Sequence, residues 1–239
     1  MAGDNYYLMT ALPALGELGS PPPLSAAELL AHVRPNGGAA DLVEAVLLSD
    51  DLIQREAFLA GEVEQVSPAV LTVAQAKNDQ PLPDFLVSDL DESHVGIAVD
   101  RLWAAYYHHA ASIASRCSSR FLTEWLGYEV SLRNALAVAR AKALDIDPVG
   151  YTVAAELGGE YDFSVLLAEW AAASNPLAGL RVLDKARWRW LTENDAWFTF
   201  ADDELVAYAV KLMLLCRWRR LTEPQNTKSN RPEKAQKYT

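Results

Sequence analysis

Cysteine, positive charge and long apolar runs are all scarce in this chain of 239 residues. Its two cysteines, Cys117 and Cys216, each lie in an apolar helical pattern, which favours buried free thiols in a reducing compartment and leaves a disulfide open. The net charge of -11 argues against non-specific binding of nucleic acid, because a polyanion would be repelled. No apolar run reaches the roughly 20 residues that span a bilayer. Residues 1–15 lack the basic start of a secretory signal, so we expect a cytoplasmic protein without a direct membrane span.

Motifs for metal, phosphate and nucleophile chemistry are also missing. The sequence has no H-E-x-x-H, no C-x-x-C and no glycine-rich phosphate loop. His108 and His109 are adjacent, and neighbouring residues of a helix point about 100° apart, so the two do not easily share one ion. His109 is predicted to be a core or interface histidine. We therefore expect no cofactor, no metal and no catalytic residues.

Helical periodicity dominates what remains. Within 200–221, apolar residues form one continuous stripe and also fill much of the opposite face, which predicts a helix buried against several neighbours. Ser25 and Glu28 form a capping box, which predicts the start of another helix. The pair Asp50-Asp51 is predicted to interrupt a third helical pattern. Besides 200–221, helices are predicted over 25–34, 39–49, 52–59, 94–118, 120–144, 161–173 and 177–191.

Strand signals are weak throughout. No two neighbouring runs alternate with period 2, and no Asn-Gly or Asp-Gly hairpin turn occurs, so the fold is predicted to be all-α. The predicted segments are an N-terminal helical lobe (1–60), a poorly periodic linker (61–93), a main helical body (94–221) and a mobile basic tail (222–239). From residue 217 onward, seven Lys and Arg residues stand against two Glu, so the basic charge is concentrated at this end.

One short motif points to an enzyme. Residues 85–93 contain an apolar run that leads into Asp89-Leu-Asp91, which resembles the nucleophile loop of haloacid-dehalogenase-like phosphatases. There the first Asp attacks phosphorus, the second handles the leaving group and Mg²⁺ screens the charge. That chemistry sits on a parallel sheet, whose strand–helix alternation is absent from this sequence. An acidic loop before a helix is therefore favoured, and the phosphatase is kept as an alternative.

Two further patterns have structural interpretations. Residues 185–190 interleave basic and aromatic side chains, as stacking sites for nucleic acid do. In so acidic a chain, core tryptophans beside solvated arginines are favoured instead, and nucleic acid is not expected as a partner. Asn134 lies in the middle of a long helical pattern, where Asn is unfavourable by propensity. A hydrogen bond to a neighbouring helix that fixes its register is the preferred explanation.

Several segments, taken in order, resemble one family. They are Tyr6–Pro13, Tyr106-Tyr107, Phe121-Leu122, Trp125, Leu132–Leu136, Arg187-Trp188, Phe198, Leu205–Leu215 and Arg217-Trp218. Their order and spacing resemble the bacterial family of uncharacterised proteins associated with V-type (V/A-type) ATPases. That family is in turn similar to the C-type component of the central stalk of these enzymes, called the d-type component in eukaryotes.

The resemblance implies a non-catalytic part of a rotary ATPase, built as stacked helical bundles. Such a part seats the central shaft on the proteolipid ring, peripheral at the inner face of the cell membrane. The chain is shorter than an ordinary three-bundle C-type component, which places the threefold pseudo-symmetry in question. Partner contact is assigned to Arg217, Arg219 and Arg220, and reversing all three charges is expected to weaken assembly without unfolding the protein. A helical adaptor with an unrelated partner is the other alternative.

Overall fold

The computed structural model describes residues 5–87, 98–195 and 199–222. The helices named below lie within these ranges. The α-helices are α1 (Tyr6–Ala11), α2 (Ala26–Val33), α3 (Gly38–Leu59), α4 (Val73–Ala76), α5 (Asp84–Val87), α6 (Ala98–Arg116), α7 (Arg120–Ala143), α8 (Ser164–Ala171), α9 (Pro176–Asn194) and α10 (Asp202–Thr222). Short 3-10 turns occur at Arg34–Asn36, Pro148–Gly150 and Ala155–Leu157. No strand is present in the described ranges, and the all-α prediction is confirmed.

The core is centred on α10, which packs mainly against α3 and also against α2, α7 and α9. Twelve of its 21 residues are buried, so the predicted helix with several neighbours is confirmed. Even Lys211 is buried, because its ammonium group donates to the Asp195 carboxylate. Full burial of a leucine such as Leu205 or Leu212 contributes about 1.5–3 kcal/mol, which makes this helix the main apolar anchor of the fold.

The predicted break at Asp50 and Asp51 is wrong, because α3 runs without interruption through both residues. Both side chains are buried, and each has polar partners on other segments. Asp50 accepts hydrogen bonds from Arg220 on α10, at 2.6 and 2.7 Å. A buried carboxylate that is hydrogen-bonded in this way no longer has to face water, so the helix continues across it.

Segment 61–87 packs against α3 through α4 and against α6 through α5. The Asp51 carboxylate accepts three successive backbone N–H groups of residues 69–71, at 2.7–2.8 Å. Apolar side chains of α3 and α6 belong to the same core as those of α10. Helices before and after this segment thus contribute to one apolar core, and the division into a lobe (1–60), a linker (61–93) and a body (94–221) stays a prediction.

Two predicted helix boundaries are set by side-chain caps. Glu28 Oε2 accepts a hydrogen bond from the Ser25 backbone N–H at 2.7 Å, and Ser25 Oγ accepts one from the Glu28 N–H at 3.2 Å, which confirms the capping box. At the junction of α6 and α7, Ser118 adopts a left-handed backbone with φ of 55°. Ser119 then caps α7 by accepting the Leu122 N–H at 3.1 Å. The predicted boundary between helices over 94–118 and 120–144 is thereby confirmed.

Two predicted features lie outside the described residues. Asp89 and Asp91 of the candidate phosphatase loop fall in the gap between 87 and 98. The basic tail lies beyond 222, the last described residue. Within the described ranges, no helix combines the length and the apolar character needed to cross a membrane.

Asp51 is predicted to make stability depend on pH. Burial raises the pKa of Asp51 to about 6, although its three backbone N–H donors favour the charged form. Because the unfolded pKa is about 3.9, the folded state holds this proton more tightly. The resulting stabilisation is complete below about pH 4 and is lost as the pH rises through about 6. Urea denaturation should show the Asp51 contribution falling by roughly 3 kcal/mol across this window.

The variant Asp51→Asn isolates this effect, because its side chain does not titrate. The difference in free energy of unfolding between wild type and Asp51→Asn should shrink as the pH rises from about 4 to about 6. Asp79→Asn, at an exposed turn position, is the matched control and should follow the wild-type pH profile. If the difference in free energy of unfolding between wild type and Asp51→Asn stayed constant with pH, the raised pKa of Asp51 would be contradicted.

Candidate functional site

An open pocket of about 490 Å³ lies between α3, α6, α7, α9, α10 and residues 144–151. This volume falls within the range of about 300–1,000 Å³ that small-molecule sites occupy. Its aromatic lining residues are Trp103, Tyr106, Tyr107, Trp125 and Tyr151. Its charged lining residues are Glu56, Asp100, Glu129, Arg133, Arg140, Arg187 and Arg217. A pocket with aromatic walls and a few converging charges is the best candidate for a binding site in the described part of the chain.

A chain of six charged side chains runs through and behind the pocket floor, and we call it the buried ion network. It joins four helices and contains Asp50 of α3, Glu129 of α7, Asp184 and Arg187 of α9, and Arg217 and Arg220 of α10. Three carboxylates balance three guanidinium groups. The network therefore places no net charge in the interior.

Arg187 makes the best hydrogen bonds of this network. Its Nε and Nη2 donate to the two carboxylate oxygens of Glu129 at 2.7 and 3.1 Å, and its Nη1 donates to Asp184 at 2.9 Å. Burial alone would lower the pKa of Arg187, but Glu129 and Asp184 raise it above the ordinary value. The side chain therefore stays charged inside the protein, held by the two-pronged geometry that makes arginine–carboxylate pairs strong.

Arg217 joins the two halves of the network without an ordinary hydrogen bond. Its Nε lies 3.7 Å from Asp50 Oδ1, and its Nη1 lies 3.6 Å from Asp184 Oδ1. Both distances exceed the range of a hydrogen bond. The Nε atom and Asp184 Oδ2 are buried and lack a hydrogen-bond partner. Arg217 thus contributes charge to the network while part of its donor capacity stays unused.

The arginines assigned to partner contact lie in three different environments. The Arg217 side chain is only 11% exposed, and that of Arg220 is 32% exposed. Arg219 is exposed on the other side of α10. Reversing the charge at Arg217 and Arg220 would break internal ion pairs, so the triple variant is now expected to lose stability as well as assembly. Partner contact itself stays a prediction, which Arg219 alone can test.

The sequence predicts solvated arginines within residues 185–190. In the structure, only one of the two arginines is solvated. Arg187 is buried in the ion network, because carboxylates from two helices surround it. Arg189 is exposed and pairs with Glu193 on the same helix. Trp190 packs against the rings of Trp125 and Tyr128, with centroids 5.5 and 5.4 Å apart, so this tryptophan contributes to the core as predicted.

A second polar cluster, formed by Glu56, Asp100, Trp103 and Arg133, also lines the pocket. The Trp103 indole N–H donates to Glu56, and the Arg133 guanidinium lies 4.7 Å from the centroid of the same indole ring. Arg133 also donates to Asp100 at 3.3 Å. Burial raises the pKa of Glu56, while the Trp103 hydrogen bond and the Arg133 charge oppose the rise. The lining carboxylates are thus held by donors of the protein itself.

The hydroxyl groups deeper in the pocket serve the backbone of α3. Ser49 Oγ donates to the Val46 carbonyl at 2.7 Å, and the Tyr106 hydroxyl donates to the Ala45 carbonyl at 3.1 Å. Burial raises the pKa of Tyr106 and of Tyr107, so both rings stay neutral phenols. Because the protons of Ser49 and Tyr106 are committed to backbone carbonyls, these side chains form fixed walls of the pocket.

Asn134 orders the entrance of the pocket. Its amide donates to the Val153 carbonyl at 3.0 Å, and its carbonyl oxygen accepts the Val153 N–H at 2.8 Å. The sequence predicted a hydrogen bond to another helix, whereas Asn134 binds the loop that follows α7. That loop carries Ile146 and Tyr151, which line the entrance.

The remaining candidate residues have structural surroundings. His109 stacks on Phe85 with ring centroids 3.8 Å apart, and burial lowers the pKa of His109, so the predicted interface histidine is confirmed. Both cysteines are free thiols as predicted, although only Cys216 is fully buried and Cys117 is half-buried. Across 5–87, 98–195 and 199–222, no three His, Cys, Asp or Glu side chains form a metal-binding group.

Sequence reasoning missed the pocket because its lining comes from segments far apart in the chain. One signal was present on α7, where Glu129, Arg133, Ala137 and Arg140 recur at helical spacing. A charged stripe on a helix whose other faces are apolar is usually solvated. Here it faces a cavity, because α3, α6 and α10 surround it.

Comparison with known proteins places the chain in a family. Residues 3–169 match the family described as "Protein of unknown function (DUF2764)". The chain belongs to this family. The match extends from α1 into α8 and so includes the pocket walls on α3, α6 and α7, whereas Arg187 and Arg217 follow it. No curated protein and no solved structure matches the chain.

Removing Arg187 is predicted to destabilise the protein strongly. In Arg187→Met, Glu129 and Asp184 lose their hydrogen-bond donor while they remain buried, which costs about 3–5 kcal/mol in comparable buried pairs. The free energy of unfolding, measured by urea denaturation, should fall by this amount. The double variant Arg187→Met with Glu129→Gln should recover part of the loss, because it removes one of the two uncompensated carboxylates.

Arg189→Met on the same helix is the matched control. Its guanidinium and the Glu193 carboxylate are both exposed, with side chains 80% and 58% accessible to solvent. We expect no measurable change in stability, since water replaces this interaction. Equal losses in Arg187→Met and Arg189→Met would contradict a structural role for the buried ion network.

Proposed function

We propose that this protein is a non-catalytic part of a V/A-type ATPase or ATP synthase, similar to the C-type (eukaryotic d-type) component of the central stalk. It would couple the central rotor shaft to the membrane proteolipid ring. The proposal starts from the ordered segments that resemble this family, from Tyr6–Pro13 to Arg217-Trp218. In this role the protein is peripheral at the inner face of the cell membrane, held there by the complex.

The observation that carries the proposal is the buried ion network, which ties α3, α7, α9 and α10 together. A coupling part has to transmit force without changing shape, so its helices must keep a fixed register. The Arg187–Glu129 and Arg220–Asp50 pairs each join two helices and lose their hydrogen bonds if one helix slides. Close packing of Trp125, Tyr128 and Trp190 supports the same stiffness.

The phosphatase alternative has less support. Its chemistry requires a parallel sheet, and residues 5–87, 98–195 and 199–222 contain no strand. A phosphatase assay with Mg²⁺ on the wild type and on Asp89→Asn separates the two functions, because a coupling part predicts no turnover in either. Turnover that the substitution abolishes would overturn the proposal.

Purification from the native host tests the partners. The full chain with an affinity tag, extracted in mild detergent, should bring down the shaft and proteolipid components of a V-type ATPase as the main species. A main species unrelated to that ATPase would instead support the helical adaptor and contradict the proposal. The comparison uses tagged and untagged cells grown identically.

The exposed end of α10 is predicted to contribute to assembly through Arg219. The pKa of Glu28 is lowered chiefly by hydrogen bonds from Ser25 and to a smaller extent by Arg219, so this end of α10 faces the start of α2. Arg219→Glu should reduce co-purification of the ATPase components and change the thermal unfolding midpoint little, because its interaction with Glu28 is exposed to solvent and lies outside the buried ion network.

Arg120→Glu is the control for this prediction. Arg120 is 85% exposed at the start of α7 and pairs only locally with Glu124. The control should co-purify like the wild type. Full recovery of the complex with Arg219→Glu would rule out docking through this end of the chain.

A further inference from the structure

We infer that the pocket binds a small amphiphile, with its anionic head group on Arg217 at the floor and its apolar body along the entrance. The inference rests on the cavity and its lining, and it is independent of a role in a rotary ATPase. Carboxylates and phosphate monoesters share the required head-group chemistry.

The floor has unused capacity for an anion. Arg187 gives three hydrogen bonds to carboxylates, and Arg133 gives one. Arg217 lies beyond hydrogen-bond distance of Asp50 and Asp184, at 3.7 and 3.6 Å. Those two aspartates take shorter hydrogen bonds from Arg220 and Arg187, so they do not saturate Arg217. A ligand oxygen at this guanidinium would form a charge-assisted hydrogen bond, which is stronger than a neutral one.

The acidic lining residues do not oppose such a ligand strongly. Glu129 is held by two hydrogen bonds from Arg187, and Asp100 accepts one from Arg133. Glu56 accepts the indole N–H of Trp103. Four arginines and three carboxylates line the pocket, and their ion-pair partners Asp50, Asp184 and Arg220 bring the whole set to zero net charge, so a ligand anion meets no excess of negative charge.

The entrance is apolar and exposed. Leu144 is 70% exposed, and Ile146 and Tyr151 are 41% and 39% exposed. Arg140 stands at the same entrance, with its guanidinium 5.4 Å from the centroid of the Trp170 ring. Large exposed apolar side chains beside a cavity mark a contact with a ligand or partner. The apolar lining continues inward through Leu126, Leu136, Met213 and Leu214.

The two halves of the pocket together define the ligand class. An inorganic anion would use Arg217 and leave the entrance uncovered. A neutral apolar molecule would cover the entrance and lie next to a guanidinium whose N–H groups need an acceptor. A molecule that carries both an anionic head and an apolar body satisfies both regions.

Isothermal titration calorimetry on the full chain tests the assignment with four probes, namely octanoate, octyl phosphate, 1-octanol and inorganic phosphate. At least one of the two amphiphilic anions should bind with one molecule per chain, and which one is tighter identifies the head group. Octanol and inorganic phosphate should each bind at least about tenfold more weakly, as expected for the loss of one charge-assisted hydrogen bond or of the apolar contact. Octanol or inorganic phosphate binding as tightly as the anions, or no binding of either anion, would overturn the inference.

Pocket variants locate the site. Ala137→Phe fills the cavity from α7 without altering a charged residue, and should weaken the amphiphilic anion by about tenfold or more. Ala143→Phe, exposed on the same helix and outside the lining, is the matched control and should bind like the wild type. Unchanged binding to a folded Ala137→Phe variant would place the ligand elsewhere and overturn the inference.

A second variant tests the position of the head group without changing the cavity. Arg140 is exposed, so Arg140→Gln should preserve the fold. Because the head group is assigned to Arg217 at the floor, losing the Arg140 charge at the entrance should change the affinity for the amphiphilic anion by less than about threefold and leave the affinity for octanol unchanged. A loss of about tenfold or more for the anion alone would place the head group at Arg140 and contradict its assignment to Arg217.

Discussion

The double hydrogen bond between Arg187 and Glu129 brings two opposite charges into the interior, where neither is stable alone. Removing an ion from water costs several kcal/mol even after the protein relaxes, so each charge requires a partner with good geometry. Asp184 supplies the remaining acceptor for Arg187. Further ion pairs connect Asp184 to Arg217, Arg217 to Asp50 and Asp50 to Arg220. Four helices are therefore positioned by one requirement, that no buried charge be left without its counterpart.

This requirement also explains why a pocket exists beside a well-packed core. Guanidinium and carboxylate groups prefer short, directed contacts, and they do not fill space as leucine side chains do. Where α7 turns its charged stripe inward, the neighbouring helices meet it through polar contacts, and a cavity of about 490 Å³ remains. The proposed stiffness and the proposed binding of a small molecule thus depend on the same arrangement of charges.

The sequence predicted the fold well where the determinants are local. The capping box at Ser25 and the serine pair before α7 are recognisable within four residues, and apolar periodicity located the long helices. It failed at Asp50, whose partner Arg220 lies 170 residues away. The pocket was unpredictable for the same reason, since its lining combines five helices with the loop after α7. Only tertiary contacts decide whether a charged residue on a helix meets water or an opposite charge.

Asn134 has a consequence for anything that enters the pocket. Its paired hydrogen bonds to Val153 hold the loop after α7, which carries Ile146 and Tyr151, so this loop is anchored before any ligand binds. A rim that is already ordered gives up little conformational entropy on association. The entrance is in this sense preorganised, and a ligand there would be selected by complementary shape more than by rearrangement of the loop.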